Sequence, residues 1–233
     1  MRVLVTRPLE DAERTAAELK ARGHEAILAP LMDIRFRSGP LLTLDGVQAI
    51  LVTSANGIRA LAVRSKQRDL PIFAVGPQSA EAARNAGFAD VKSANGDATA
   101  LAEAVKGWAR PEAGPLFHAA GAETKGDLAA RLSAAGFQVE SEVLYEAVPA
   151  ETLPPDAESA LAGGEAEAVL LYSPRSARIF VACLMRAGLA ESARRLTALC
   201  ISDAAAAPLA ALPFRVVRVA GHPDQDRLLA LLD

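Results

Sequence analysis

The feature that most constrains this chain is a pattern written twice. Residues 49–60 read AILVTSANGIRA, and residues 169–179 read VLLYSPRSARI. Each is an apolar run that breaks at a serine and passes at once into a helical pattern. The spacing predicts a buried strand delivering Ser54 or Ser173 to the first turn of a helix, where backbone N–H groups lack partners and the helix dipole is positive. Such a turn seats an anion. Two such seats at corresponding places in two halves predict facing walls of one ligand site.

The duplication extends beyond these two stretches. Gly23 and Gly136 lie 113 residues apart, as do Val3 and Leu116, Leu19 and Leu132, and Leu31 and Leu144. Later counterparts drift to 119 for Ser54 with Ser173, 126 for Gly76 with Ser202 and 127 for Asp97 with Asp224, as small loop insertions would cause. Strand patterns alternate with helix patterns, and the strands are apolar on both faces. That combination predicts parallel sheets covered by helices. A chain of 233 residues has the length for two such domains.

In order, the pattern predicts a strand over 3–6 and a helix over 9–22, with Pro8 at its first position. Gly23, Gly87, Gly136 and Gly188 each follow an alanine- and arginine-containing helix, the place of a left-handed cap. Strands are expected at 25–29, 72–75, 89–92 and 137–140, and helices from Ala55 to about Lys66, from Pro77, and over 98–108 behind Asp97. The stretches LMDIRF (31–36) and EVLYEAV (142–148) alternate in character and answer each other across the repeat. They read as two ribbon strands bridging the halves.

Several function classes are excluded. Aromatic residues make up 4% of the chain, net charge is −3, and no Lys/Arg run occurs. A nucleic-acid partner is therefore not expected. No apolar stretch approaches a membrane span, and charge returns too early after Met1 for a signal peptide, so a cytoplasmic protein is expected. Cys183 and Cys200 sit in apolar contexts as core thiols, and His24, His118 and His222 stand alone, so no metal is expected. The glycine patterns of nucleotide cofactors are missing, and no cofactor is expected.

Taken together, VLVTRP, ILVTSANGIRAL, FAVGPQSAEAARNAGF, GDATALA, LYEAVP, VLLYSPRSA and CISDAAAAPL resemble, in order and spacing, the uroporphyrinogen-III synthase family over essentially the whole length. The resemblance implies two doubly wound parallel-sheet lobes of flavodoxin or Rossmann type, joined by a two-stranded β-ladder. Residues 1–35 with 149–233 would form one lobe and 36–148 the inserted other, with linker strands about 31–37 and 142–148. It also implies a lyase that cyclises hydroxymethylbilane, a linear tetrapyrrole, with inversion of its last ring through a spiro intermediate and loss of water. The expected protein is a monomer, in transient contact with the preceding enzyme of the pathway.

The implied substrate carries an acetate and a propionate on every ring, which a chain of net charge −3 must offset locally. Helix N-termini at Ser54-Ala55, Pro77-Ser79, Ser173-Arg175 and Ser202-Ala204 supply backbone donors. Ser54, Ser79 and Ser173 match hydroxyl positions of the family, although each also reads as an ordinary helix cap. In CISDAAA many relatives have a Gly-Pro-Thr-Thr type turn, which leaves Ser202 and backbone donors. Arg7, Lys125, Arg175 and Arg178 would add charge, or be solvated and capping residues. Tyr145 matches the family's ribbon tyrosine and is the candidate proton donor to the departing hydroxyl, its alternative being a packed strand aromatic. Two other readings fit: a non-enzymatic two-lobe receptor for an anionic small molecule, and, more weakly, a nucleotide-sugar transferase.

Overall fold

The computed structural model describes residues 1–123 and 126–232. Along the chain these form β1 (Arg2–Val5), α1 (Leu9–Ala21), β2 (Glu25–Leu28), β3 (Met32–Phe36), β4 (Ala49–Val52), α2 (Ala55–Arg64), β5 (Ile72–Ala74), α3 (Pro77–Asn85), β6 (Val91–Ser93) and α4 (Ala98–Trp108). They continue with β7 (Leu116–Gly121), α5 (Leu128–Ala134), β8 (Val139–Pro149), α6 (Pro155–Ala162), β9 (Ala168–Leu171), α7 (Pro174–Arg186), β10 (Thr197–Cys200), α8 (Asp203–Ala206), β11 (Val216–Val219) and α9 (Gln225–Leu229). Contacts divide the chain into two compact units, Met1–Asp33 with Val148–Asp233, and Ile34–Ala147. Both boundaries fall inside strands, β3 and β8.

The first unit holds a five-stranded sheet in the order β11-β10-β9-β1-β2, with its neighbouring strands parallel. Counting β1 and β2 first and β9 to β11 next, this is the flavodoxin order 2-1-3-4-5. Its inner strands, β1 from Val3, β9 and β10 from Ala198, are apolar because both faces are covered, whereas the edge strand β11 is exposed and carries Arg218. Along β9, Val169 and Leu171 pack into one cluster with Phe180 and Leu184 of α7, while Ala168 and Leu170 pack into the other with Leu19 of α1 and Leu228 of α9.

The second unit repeats the plan. Its sheet runs β3-β8-β7-β4-β5-β6, and β8 through β6 are parallel. Ile50 and Val52 of β4 pack with Ile58 and Leu61 of α2, and Ala49 and Leu51 with Leu101 of α4 and Leu132 of α5. The equivalent strands are therefore β7 and β8 with β1 and β2, and β4 to β6 with β9 to β11. Gly23 and Gly136, at φ +79° and +87°, end α1 and α5 in the left-handed region that a Cβ penalises.

Three expectations change. The stretches 137–140 and 142–148 form one strand, β8, because nothing in GFQVESEVLYEAVP breaks an extended chain between them. Its first part pairs in parallel with β7; farther along it meets β3, where Arg37 N–H donates to Leu144 O at 2.8 Å and Ala150 N–H to Leu31 O at 2.9 Å. That order of partners is antiparallel. The strand expected at 89–92 lies at Val91–Ser93, and Pro8 is the cap of α1 with an extended ψ of 148°, not its first helical residue.

Candidate functional site

In a doubly wound sheet the chain leaves the central strands in opposite directions, which opens a crevice at their carboxyl ends. In the first unit this switch point lies between β1 and β9, and in the second between β7 and β4. The sequence candidates gather at these ends.

At the first switch point stand Thr6-Arg7 after β1 and Tyr172-Ser173 after β9. Ser173 caps α7 in a reciprocal box: its Oγ accepts from Ser176 N–H at 3.0 Å, and Ser176 Oγ accepts from Ser173 N–H at 3.1 Å. Arg7 is held rather than loose. Its guanidinium lies 4.7 Å from the centre of the Tyr172 ring and donates to Gln225 Oε1 at 3.2 Å and Asp11 Oδ2 at 3.4 Å. Burial raises the Tyr172 phenol above its usual pKa, with the Arg7 charge opposing. On α7, Arg175 is half-buried and Arg178 exposed. Ser202 caps α8 by accepting from Ala205 N–H at 3.3 Å, but α8 has only four residues and begins with the carboxylate of Asp203. Its N-terminus is the weakest of the four as an anion seat.

At the second switch point Ser54 follows β4 by two residues and caps α2, its Oγ accepting from Asn56 N–H at 3.1 Å, with Ala55 buried behind it. Next along the sheet, α3 opens on Gly76-Pro77 with no side-chain cap, which leaves its first N–H groups without a side-chain acceptor. Ser79 is buried in that turn at 5% exposure. Lys125 lies outside the described residues.

Tyr145 joins this second group through a β-bulge. Ala120 of β7 stands opposite Val143, but Gly121 stands opposite Tyr145, so Leu144 is an extra residue on β8. Simple alternation would put Tyr145 on the face of Val139 and Ser141, against α5. The extra residue turns it to the other face, where it packs with the α2 and α3 cluster. Gly121 clears its place and Gly57 borders it. A Cβ on Gly121 would come within 2.7 Å of the ring's Cζ and 2.9 Å of its hydroxyl, and one on Gly57, in the first turn of α2, would lie 3.8 Å from its Cε1. The phenol thus lies over the end of β7 and beside the first turn of α2.

The sequence marks neither His118 nor Gly57 nor Gly121 as a site residue. SANG and HAAG do place small residues where a strand end meets a helix, which is the one signal available. Among the described residues, no three His, Cys, Asp or Glu side chains gather as metal ligands would, and no helix is long and apolar enough to cross a membrane.

Paired parallel sheets of flavodoxin order, with helix N-termini and hydroxyls at their switch points, define a duplicated doubly wound α/β protein. The family model described as uroporphyrinogen-III synthase HemD matches residues 13–230. The chain therefore belongs to the uroporphyrinogen-III synthase family, a family of lyases in tetrapyrrole biosynthesis. Its fold is similar to that of uroporphyrinogen-III synthetase from Helicobacter pylori, with a TM-score of 0.66, 16% identity, and coverage of 100% of this chain and 98% of the other. A mutant uroporphyrinogen III synthase from Thermus thermophilus gives a TM-score of 0.52 at 18% identity, covering 100% of this chain and 96% of that one. No curated protein matches.

Proposed function

We propose that this chain cyclises hydroxymethylbilane to uroporphyrinogen III, with Tyr145 assisting departure of the terminal hydroxyl. The carrying observation is the seat of Tyr145: a half-buried phenol turned by a bulge onto the first turn of α2, at the carboxyl ends of β4 and β7. There it can give its proton to the leaving oxygen, which departs as water and leaves an azafulvenium cation beside the phenolate. The last ring attacks that carbon through its own substituted position, forming a spiro pyrrolenine that fragments and recloses with the ring inverted. The substrate supplies the electrons for each bond.

What the protein adds is position. The uncapped first turn of α3 and the serine-capped turns of α2 and α7 offer backbone donors to the substrate carboxylates, in a chain of net charge −3. Ser54, Ala55, Ser79, Ser173, Ser202, Arg175 and Arg178 are the proposed binding residues. Arg7, held by Asp11 and Gln225, acts chiefly by stiffening the β1 end. Holding the hindered carbon as the nearest nucleophile can account for much of the barrier.

The test supplies freshly generated hydroxymethylbilane and separates the oxidised porphyrins. Type III isomer in excess is expected; type I alone, as without enzyme, rejects the reading. Return of intact bilane by mass spectrometry would instead favour the receptor. A substrate that cyclises unaided also suits handover from the preceding enzyme to a cytoplasmic monomer, and sedimentation with and without that enzyme checks both.

A further inference from the structure

The buried face of β7 holds a feature that the proposed reaction does not use. His118 is 5% exposed, and its Nε2 has no hydrogen-bond partner among the described residues. A buried polar atom left bare is costly and rare enough to ask for a cause. His118 lines a recess of about 260 Å³, together with Thr53, Ser141, Val143, Asp127 and Leu128. Thr53 and Ser141 bring hydroxyls, while Leu128 and Val143 bring apolar walls.

We propose that this recess receives a short-chain carboxylate, with the His118 imidazole as the group that meets it. The hydroxyls would take the remaining lone pairs of the carboxylate and the aliphatic walls its methylenes. It rests on the function proposed above only in naming the carboxylate, one acetate or propionate arm of the bilane.

Proton uptake by His118 would give the recess its positive charge, and most of the carboxylates around it are already paired. Burial holds the imidazole below its usual pKa, which favours its neutral form. Just before α5, Asp127 faces the recess, but its carboxylate is paired with Arg131 Nε at 2.5 Å and held below its usual pKa by that partner. On β8, Glu142 is paired with Arg64 at 2.8 Å, and Glu140 lines the Arg64 cavity beside it. On α4, Glu103 pairs with Lys106 at 2.7 Å, and β4 brings no charge. An entering carboxylate would raise the His118 pKa and bind with proton uptake.

The test labels histidine ring carbons and follows their pH titration by NMR in sodium propionate against sodium chloride of equal ionic strength. His118→Asn assigns the resonance, and His24 and His222 serve as internal controls. The expected result is a His118 midpoint raised by about 0.5 to 1 unit in propionate, with the controls unmoved. An equal midpoint in both salts, or all three histidines moving together, overturns the proposal. His118→Gln should raise KM for hydroxymethylbilane about 5- to 10-fold with kcat nearly unchanged, the loss of one charged contact. An unchanged KM removes the substrate arm as the occupant. The two readings fail separately: wild-type protein that forms type III isomer while propionate leaves His118 unmoved loses only the recess, and the reverse pattern loses only the cyclase.

Discussion

At the residue scale, Tyr145 and His118 sit on opposite faces of the β7–β8 pair and differ in what holds them. Tyr145 lies over Gly121, where only a hydrogen fits beneath its ring. Tyr145→Phe keeps the ring packing and removes the proton, so turnover is expected to fall about 10- to 100-fold. Steady-state rates with circular dichroism as a folding control measure this, and an unaltered rate removes Tyr145 from the chemistry. Gly121→Ala should reproduce much of that loss from the other side, because the new methyl would stand 2.7 Å from Cζ and the ring must swing away. His118 makes a different prediction. Its pKa is lower folded than unfolded. Below about pH 6.5 the unfolded chain takes up a proton that the folded chain refuses, so this contribution to stability is present above that pH and is lost as pH falls through the folded value, with a slope of at most about 1.4 kcal/mol per pH unit. Denaturant melts from pH 7 to 5 should show a shallower acid loss in His118→Asn than in the wild type.

At the element scale, the caps carry the repeat. Ser54, Ser173, Ser202 and Asp224 each accept from the first turn of the helix they open, and Ser173 adds a second bond through Ser176. Ser173→Ala is expected to cost about 1 kcal/mol, read as a lower denaturation midpoint with an unchanged slope. These caps are legible in sequence because a serine or aspartate between an apolar run and a helical period acts locally. The bulge in β8 is not legible. EVLYEAV reads as one alternating strand, and only the packing of both Leu144 and Tyr145 against α2 and α3 decides that an extra residue belongs there. The merged strand 139–149 has the same cause, since pairing with β7 and then β3 continues an extension that the residues merely permit.

At the scale of the whole molecule, the division into units makes a strong prediction. Residues 34–147 are one continuous stretch with a six-stranded sheet and two apolar clusters of their own, and should fold when expressed alone. The other unit is discontinuous, but Ala150 N–H donates to Leu31 O at 2.9 Å, so a short linker across that point should close it. Cooperative melts and dispersed amide spectra for both pieces are expected; a molten 34–147 fragment would mean that its core depends on the remainder.

The amino-acid sequence by itself determined where most of the buried strands lie, several helix starts and stops, the left-handed glycine ends, and the correspondence of one half with the other. Each of these is written in apolar periodicity, a cap or a turn within a few residues. Tertiary structure alone decided that β1 joins β9 rather than β4, that Tyr145 turns toward α2, and that His118 is buried with a nitrogen that has no partner among the described residues. Those outcomes depend on which distant apolar faces bury each other, and any strand apolar on both sides is compatible with more than one neighbour.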